Sequence, residues 1–293
     1  MNIQKSFDDE MNGVIYVVPT PIGNLEDITY RSLKILGSVS IIAAEDTRNT
    51  KNLLNHFDIA TPLISYHEHN KLAREGQLLE RVENGESIAI VSDAGMPAIS
   101  DPGYELVQAA TSRDQSVVVL PGANAALCAL VGSGLPPAEF YFYGFLPRKK
   151  KDKIEALHRL KATQATLLFY ESPYRLKDTL NVMNEQLGNR QVVIARELTK
   201  RFEEYVRGSM EELISWAQEN ELKGEFCVVV EGAPSSDLEE QGNALWWSHL
   251  SVIEHVNYYM EERNLSSKEA IKQASVDRKL LKRDVYRAYH VGT

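Results

Sequence analysis

A repeated local pattern in the first half of the chain does most to limit its fold. Apolar runs of four to six residues alternate with helix-like stretches: VIYVV (Val14 to Val18), VSIIAA (Val39 to Ala44), TPLIS (Thr61 to Ser65), IAIV (Ile88 to Val91) and VVVL (Val117 to Leu120). Runs this short and this apolar suit strands buried on both faces, so they predict an open, mostly parallel α/β sheet covered by helices. Each run is followed by a polar loop of unusual composition: PTPIGN (Pro19 to Asn24), EDTR (Glu45 to Arg48), SYHEHN (Ser65 to Asn70), SDAGMPAISDPG (Ser92 to Gly103) and PGAN (Pro121 to Asn124). In a parallel sheet all strand ends of one kind lie on one rim, so these loops are expected to converge on one crevice.

The loop after IAIV is the most constrained of them. Pro97 and Pro102 fix φ, Gly95 and Gly103 permit conformations closed to other residues, and Asp93 and Asp101 can accept hydrogen bonds from neighbouring amides. Two readings fit it, a ligand-facing loop and an ordinary strand-to-helix turn with an aspartate cap. The crevice lacks G-x-G-x-x-G and G-x-x-x-x-G-K-[ST], which disfavours dinucleotide and nucleoside triphosphate sites. His67 and His69 flank Glu68 without a further clustered ligand, and no G-x-S-x-G elbow occurs, so neither a metal centre nor a serine nucleophile is indicated. Cys128 and Cys227 both sit in apolar stretches that read as buried core rather than as a disulfide or metal pair.

With 293 residues the chain is long enough for more than one core. Four parts are expected: a flexible tail over 1–13, an N-terminal α/β domain over 14–135, a second α/β domain over 136–235 and a helical extension over 236–293. The prolines and glycine of SGLPPAEF mark the first boundary. Beyond it YFYGF, TLLFY, QVVIAR, EEYVRG and EFCVVVEG are strand candidates, separated by helices near 152–161, 173–187 and 210–220. LWWSHLSVIEHVNYYMEER has helical period, SSKE (Ser266 to Glu269) has the form of a capping box, and KRDVYRAYH makes a short basic helix. Three such helices suit a small nucleic-acid-binding unit or a packing extension.

The net charge of -9 argues against indiscriminate coating of nucleic acid, but positive charge is concentrated locally. RKKKDK (Arg148 to Lys153) and RKLLKRDVYR (Arg278 to Arg287) can each hold a polyanion, or each be a solvated helix face. The acidic first residues lack the apolar segment of a secretory signal, and no run approaches the roughly 18 apolar residues of a membrane span. The expected location is the cytoplasm, with no membrane partner.

The ordered series VPTPIGNLEDIT, AAEDTRNTKNLL, SYHEHN, VSDAGMPAISDPGYELV, LPGANAALCAL, FYGFLPRK, YESPYR and ARELTKRFEE, spread over Val14 to Gly232, resembles one family. It is that of bacterial 16S ribosomal RNA 2'-O-ribose cytidine methyltransferases, in the tetrapyrrole methylase superfamily. The resemblance implies two α/β domains with S-adenosylmethionine in the cleft between them, a homodimer, and methylation of a decoding-region cytidine ribose in the small ribosomal subunit, without a metal. A tetrapyrrole C-methyltransferase and a non-catalytic RNA-binding assembly factor are the other readings of the same chain.

Carried onto this sequence, the resemblance implies cofactor contacts from Pro21 and Gly23, from Asp93, Ala94, Gly95 and Met96, from Asn124 and Ala125, and from Glu171 and Leu198. Met96 stands where the family is expected to have threonine, which leaves a backbone or van der Waals contact there. In-line attack of a 2'-hydroxyl on an activated methyl carbon needs alignment and a proton acceptor. The polar candidates are Glu45, Asp46 and Arg48, with Glu197 and Lys200 facing them from the second domain; each also reads as part of an interdomain ion pair. Arg148, Lys149, Lys150 and Lys151, with Arg278, Lys282 and Arg283, are expected to hold RNA phosphates. Within the central loop, Asp93 to Met96 are expected to touch the cofactor, and Ser100 to Gly103 to brace the loop, with Asp101 capping the next helix.

Overall fold

The computed structural model describes residues 3–6, 13–234, 247, 249–263, 265–278 and 280–291. The chain divides into two compact units, Met1–Ala233 and Pro234–Thr293. Most of the expected tail, and Leu245 and Trp246 at the start of the last helical pattern, lie outside the described residues.

In the first unit, strands β1 (Val14–Val17), β2 (Ile41–Ala44), β3 (Leu63–Ser65), β4 (Ile88–Val91) and β5 (Ser116–Val119) form one sheet in the order β3-β2-β4-β1-β5. Every pairing in it is parallel. Successive strand residues point to opposite faces, and both faces are dry. Ile15, Ala43, Ile88 and Ile90 pack under α3 (Lys71–Glu83) and α4 (Tyr104–Ser112), through Leu78, Leu79 and Leu106. Val14, Ile42, Ala89 and Val91 pack under α1 (Tyr30–Ser38) and α2 (Thr47–His56), through Leu36 and Leu54. That two-sided burial is why the strands read as uninterrupted apolar runs.

Two features of this half depart from the sequence reading. Thr47–His56 is a helix, although its Asn and Thr content gives it little helical signal. Asp46 caps it by accepting a hydrogen bond from the Arg48 amide at 2.8 Å, and Leu54 anchors it in the core. Within the expected tail, Gln4 is tied to the edge strand β5: its amide donates to the Val117 carbonyl at 2.8 Å and its oxygen accepts the Val117 amide at 2.9 Å.

The second sheet contains β6 (Phe140–Phe145), β7 (Thr166–Glu171), β8 (Gln191–Arg196), β9 (Glu204–Ser209) and β10 (Phe226–Val230), in the order β6-β7-β10-β8-β9. Only β6 and β7 run parallel; the other three pairings are antiparallel. One face, with Leu167, Phe169, Ile194 and Val228, is covered by α6 (Lys150–Leu160), α7 (Leu176–Leu187) and α8 (Met210–Glu219). The other face, with Leu168, Val193, Ala195, Cys227 and Val229, receives α5 (Ala125–Ser133), which follows β5 in the chain yet packs on the second sheet. Cys128 of α5 is exposed, contrary to the reading of its apolar neighbours, whereas Cys227 in central β10 is buried.

The Pro234–Thr293 unit holds α9 (Val252–Glu261), α10 (Ser267–Asp277) and α11 (Lys282–Val291) around Val256, Ile271, Ala274 and Val285. Capping boxes at Ser251/Glu254 and Ser266/Glu269 start the first two. Among the described residues no helix is long and apolar enough to cross a membrane.

Phe169 is 1% exposed between sheet and helices. Phe169→Ala should therefore cost about 3–5 kcal/mol, read as a lowered urea midpoint with the slope unchanged.

Candidate active site

A cavity of about 430 Å³ lies at the C-terminal rim of the first sheet, with its far wall supplied by the second. Its floor is the central loop after β4. That loop is fastened to the loop after β1 by a two-way backbone bridge, Thr20 to Gly95, each amide 3.0 Å from the other's carbonyl. The Thr20 hydroxyl also donates to the Ser92 carbonyl at 3.1 Å. Gly95 has φ +80, and a side chain there would press on Ile22, so glycine is required by both conformation and space. From the second sheet, Tyr170 and Glu171 at the end of β7, Ala195 and Leu198, and Gly224–Cys227 complete the wall.

The cofactor-contact candidates divide on this geometry. Asp93, Ala94, Gly95, Met96, Asn124, Ala125, Glu171 and Leu198 all line the cavity. Met96 also packs against the core beneath the first sheet, which suits a thioether and not a hydroxyl. Asn124 caps α5, accepting the Leu127 amide at 3.1 Å. Glu171 borders the cavity with its carboxylate turned inward: Oε2 accepts the Thr179 hydroxyl at 2.6 Å and Oε1 the Ser172 amide at 2.9 Å. A direct carboxylate contact from Glu171 is thus replaced by a structural one.

Pro21 and Gly23 line an adjoining recess, while Ile22 between them faces the cavity. The reason for the glycine is a close approach of the two halves. A Cβ on Gly23 would overlap the Lys200 side chain and sit 2.8 Å from Thr199 Oγ1, and the next amide, Asn24, donates to that hydroxyl at 3.1 Å.

Of the five polar candidates, Glu45 alone lines the cavity. Burial pushes its carboxyl up, reinforced by Asp101 and Asp93. Asp46 and Arg48 form a pair of their own, Nη2 to Oδ2 at 2.6 Å, and the Arg48 side chain is 88% exposed beside a different, shallow recess. The Arg48 hydrogen bonds hold the Asp46 carboxyl at about 2. Lys200 lines the recess next to Pro21 and Gly23, its ammonium 3.0 Å from Glu197 Oε1 and 2.9 Å from Glu225 Oε2. Burial raises the Glu197 carboxyl, but the Glu225 amide and Lys200 together carry it below its ordinary value. Glu197 is therefore a bracing group, held at φ +49 against Gly224, and not a cavity residue.

The cavity also takes in Asp101, which the sequence reads as a cap, and the β10 entrance, which it does not flag. Asp101 was expected to cap the next helix, but α4 is capped by Gly103 without a side-chain hydrogen bond, and the Asp101 carboxyl lines the cavity instead. Its signal was a second aspartate in an already rigid ligand loop. Gly224–Cys227 carries no local signal; it reaches the site because β10 occupies the middle of the second sheet.

Among the basic residues, Arg148, Lys149, Lys150 and Lys151 are exposed at the start of α6, three residues beyond Phe145 of the cavity wall. Lys153 of the same run is 1% exposed and bonded to Asp178 and Thr179. Lys282 and Arg283 are exposed. Arg278 is corrected from phosphate holder to internal brace: its guanidinium donates to His255 Nδ1 at 3.0 Å and to the Leu250 carbonyl at 2.6 Å, and lies over the Trp247 ring.

A parallel sheet and a mixed sheet thus border one cavity that has no glycine fingerprint for nucleotides. The family described as Tetrapyrrole (Corrin/Porphyrin) Methylases matches residues 14–214, and the chain belongs to it. It is 52% identical over 289 residues to the Bacillus subtilis (strain 168) protein named Ribosomal RNA small subunit methyltransferase I, spanning 98% of each chain. It is 54% identical over 291 residues to the protein of the same name in Halalkalibacterium halodurans, spanning 99% of each. Among solved structures the fold is shared with the methyltransferase CobJ (TM-score 0.58, 18% identity, 75% of this chain and 95% of that one). It is also shared with diphthine synthase (TM-score 0.57, 14% identity, 75% and 90%) and with uroporphyrin-III C-methyltransferase from Thermus thermophilus complexed with S-adenyl homocysteine (0.52, 17%, 75% and 97%).

The Asp46–Arg48 pair gives a direct check. A depressed folded-state pKa contributes stability that is complete above the unfolded value of about 3.9 and is lost as pH falls through about 2. Arg48→Ala should return the Asp46 carboxyl toward its ordinary value in a carbon-detected NMR titration, while leaving the Glu45 titration nearly unmoved.

Proposed function

We propose that this chain is an S-adenosylmethionine-dependent methyltransferase that methylates the ribose 2'-hydroxyl of a cytidine in the decoding region of 16S ribosomal RNA. The observation that carries this reading is identity running over nearly the whole chain, helical unit included, to proteins named for methylating small-subunit ribosomal RNA. The remaining features support it. A cavity of about 430 Å³ is within the usual range for a small-molecule cofactor, about 300–1,000 Å³. Ile22, Phe145 and Leu198 offer apolar contact, and the main chain of Asp93–Met96 with Asn124 and Ala125 offers polar groups. Among the described residues no lysine, arginine or histidine lines the cavity, whereas five carboxylic residues do, and that suits a cationic sulfonium ligand.

S-adenosylmethionine, when bound, supplies an already activated methyl group. The protein then has to align the acceptor, exclude water and take one proton. Of the five polar candidates Glu45 alone lines the cavity, so among these five its carboxylate is the one placed to act on the acceptor. Lys200, beside the adjoining recess, is available to an RNA phosphate. Arg148 to Lys151, exposed near the cavity wall, with Lys282 and Arg283, are read as phosphate holders that set the docking of the RNA. The protein is read as cytoplasmic and as a homodimer; exposed Phe140 and Tyr141 on edge strand β6 support a self-contact, and sedimentation velocity tests it.

Small subunits incubated with methyl-labelled donor should yield RNA in which alkaline hydrolysis leaves one labelled dinucleotide uncut, because a 2'-O-methyl group blocks cleavage at its own linkage. Label in free bases or in an added porphyrinogen would reject the ribose reading. Charge reversal at Lys149, Lys150 and Lys151 should weaken RNA binding and reduce the slope of log affinity against log salt by roughly 0.7–0.9 per lost phosphate contact. An unchanged slope would remove this patch from the interface.

A further inference from the structure

Five carboxylic residues border the cavity, and three of them are already committed. Asp93 accepts the Asp46 amide at 3.0 Å on one oxygen and the Asn49 amide group at 3.2 Å on the other. Glu171 is held by Thr179 and Ser172, and Glu225 is paired with Lys200 at 2.9 Å with its side chain 77% exposed. Glu45 and Asp101 remain, without a cationic partner in the cavity among the described residues. Tyr170, the other titratable group facing Asp101, is kept neutral by burial, its hydroxyl pushed up to about 12, and it already accepts the Ala126 amide at 3.2 Å. Cys227 behind it is likewise pushed to about 12 by burial.

The two remaining carboxyls are not equivalent. Glu45 accepts a main-chain amide hydrogen bond from Asp93, which stabilises its anion. The Ser92 hydroxyl likewise favours the Asp101 anion, but it is a shared donor, with the Gly95 carbonyl at 3.3 Å as another acceptor. Asp101 is also held firmly. It lies between Ala98 at φ +68 and Gly103 at φ +140, and the Gly103 position has no room for a side chain against Ile90 and Ala98. Burial first, and the Asp93 charge second, raise the Asp101 carboxyl.

We propose that Asp101 accepts the proton of the attacking ribose hydroxyl, with Glu45 as its companion carboxylate in the same cavity. The proposal rests on the ribose methyltransferase reading and adds a residue to it. In the step, the 2'-oxygen forms a bond to the methyl carbon, the methyl–sulfur bond breaks with its electron pair left on sulfur, and the hydroxyl proton passes to a carboxylate oxygen of Asp101. The sulfonium charge and the carboxylate charge are thereby both discharged, so the neutral thioether and the protonated acid are left together. The same pairing links cofactor affinity to protonation. A positive sulfonium binds better to the ionised pair, whereas the neutral thioether product does not discriminate.

The test uses the full-length protein, with D101N and E45Q, in two arms. In the first, S-adenosylmethionine and S-adenosylhomocysteine binding are measured by calorimetry between about pH 5 and 8, without RNA. Wild-type affinity for the sulfonium should rise with pH, affinity for the thioether should stay flat, and D101N should lose most of the rise. In the second, single-turnover methylation of small subunits should fall by about 100-fold or more in D101N. E45Q should lose less turnover than D101N, with the acid limb moved to lower pH because a neighbouring negative charge is gone. D101N retaining a tenth or more of turnover, or the wild-type pH dependence of sulfonium binding, overturns the proposal. If D101N does not fold, E45Q decides: loss of turnover at every pH assigns the proton to Glu45 and overturns it. A wild type that labels no ribose overturns the ribose reading and the proton role with it; a wild type that labels ribose beside an active D101N overturns the proton role alone.

Discussion

Everything at the site depends on how closely α5 lies against the second sheet. That helix is built from AALCALVGS, and its buried face presents Ala126, Ala129 and Leu130 to Leu168, Val193, Ala195, Cys227 and Val229. Small side chains let the helix approach the strands, and polar groups then fix its position. The Ala126 amide donates to Tyr170 Oη, Tyr205 Oη donates to the Cys128 carbonyl at 3.3 Å, and Arg207 Nη2 donates to the Gly132 carbonyl at 2.5 Å. A Cβ on Gly132 would overlap the Tyr205 ring. Because α5 starts at Asn124 on the rim of the first sheet, this seam also sets the distance between the two walls of the cavity.

The second organising constraint is charge. Among the described residues the cavity is lined by carboxylates without a cation, an arrangement that costs stability unless each anion is compensated or kept protonated. Asp93 and Glu171 are compensated by hydrogen-bond donors, and Asp46 outside the cavity by Arg48. Glu45 and Asp101 are raised instead, so ionising them works against the fold: the folded state holds their protons more tightly, and stability falls as pH rises from the ordinary carboxylate range through their raised values. A cationic ligand offsets that cost. The raised carboxyls, Glu45 after β2 and Asp101 after β4, thus border one cavity, where ligand binding can offset their charge.

The positive charge is sorted by the same logic. In RKKKDK the first four cations stand in solvent at the start of α6, while Lys153 is buried, with its ammonium 2.7 Å from Asp178. In the helical unit, Arg278 is spent on carbonyls and an aromatic face, leaving Lys282 and Arg283 exposed. A run of basic letters therefore overstated the number of groups free to meet a polyanion in both places.

Where strands are buried on both faces, sequence alone was sufficient: Ile88–Val91 and Gln191–Arg196 are strands at the bounds their apolar runs indicate, because alternation is absent only when both faces are dry. Four of the five first-half loops border the cavity, as parallel order suggests, whereas SYHEHN, after edge strand β3, contributes no lining residue. What sequence did not determine was the direction of each side chain within those loops. α2 was hidden by poor helix formers and depends on its Asp46 cap and the burial of Leu54. Gly23 serves the contact between the halves, and Glu171 and Glu197 spend their carboxylates on bracing. Asp101 is a cavity residue and not a cap, since Gly103 at φ +140 starts the helix after it without a side-chain hydrogen bond. Loop composition records which residues must be stiff or polar, but only the packing of the second sheet against α5 decides which of them face the ligand.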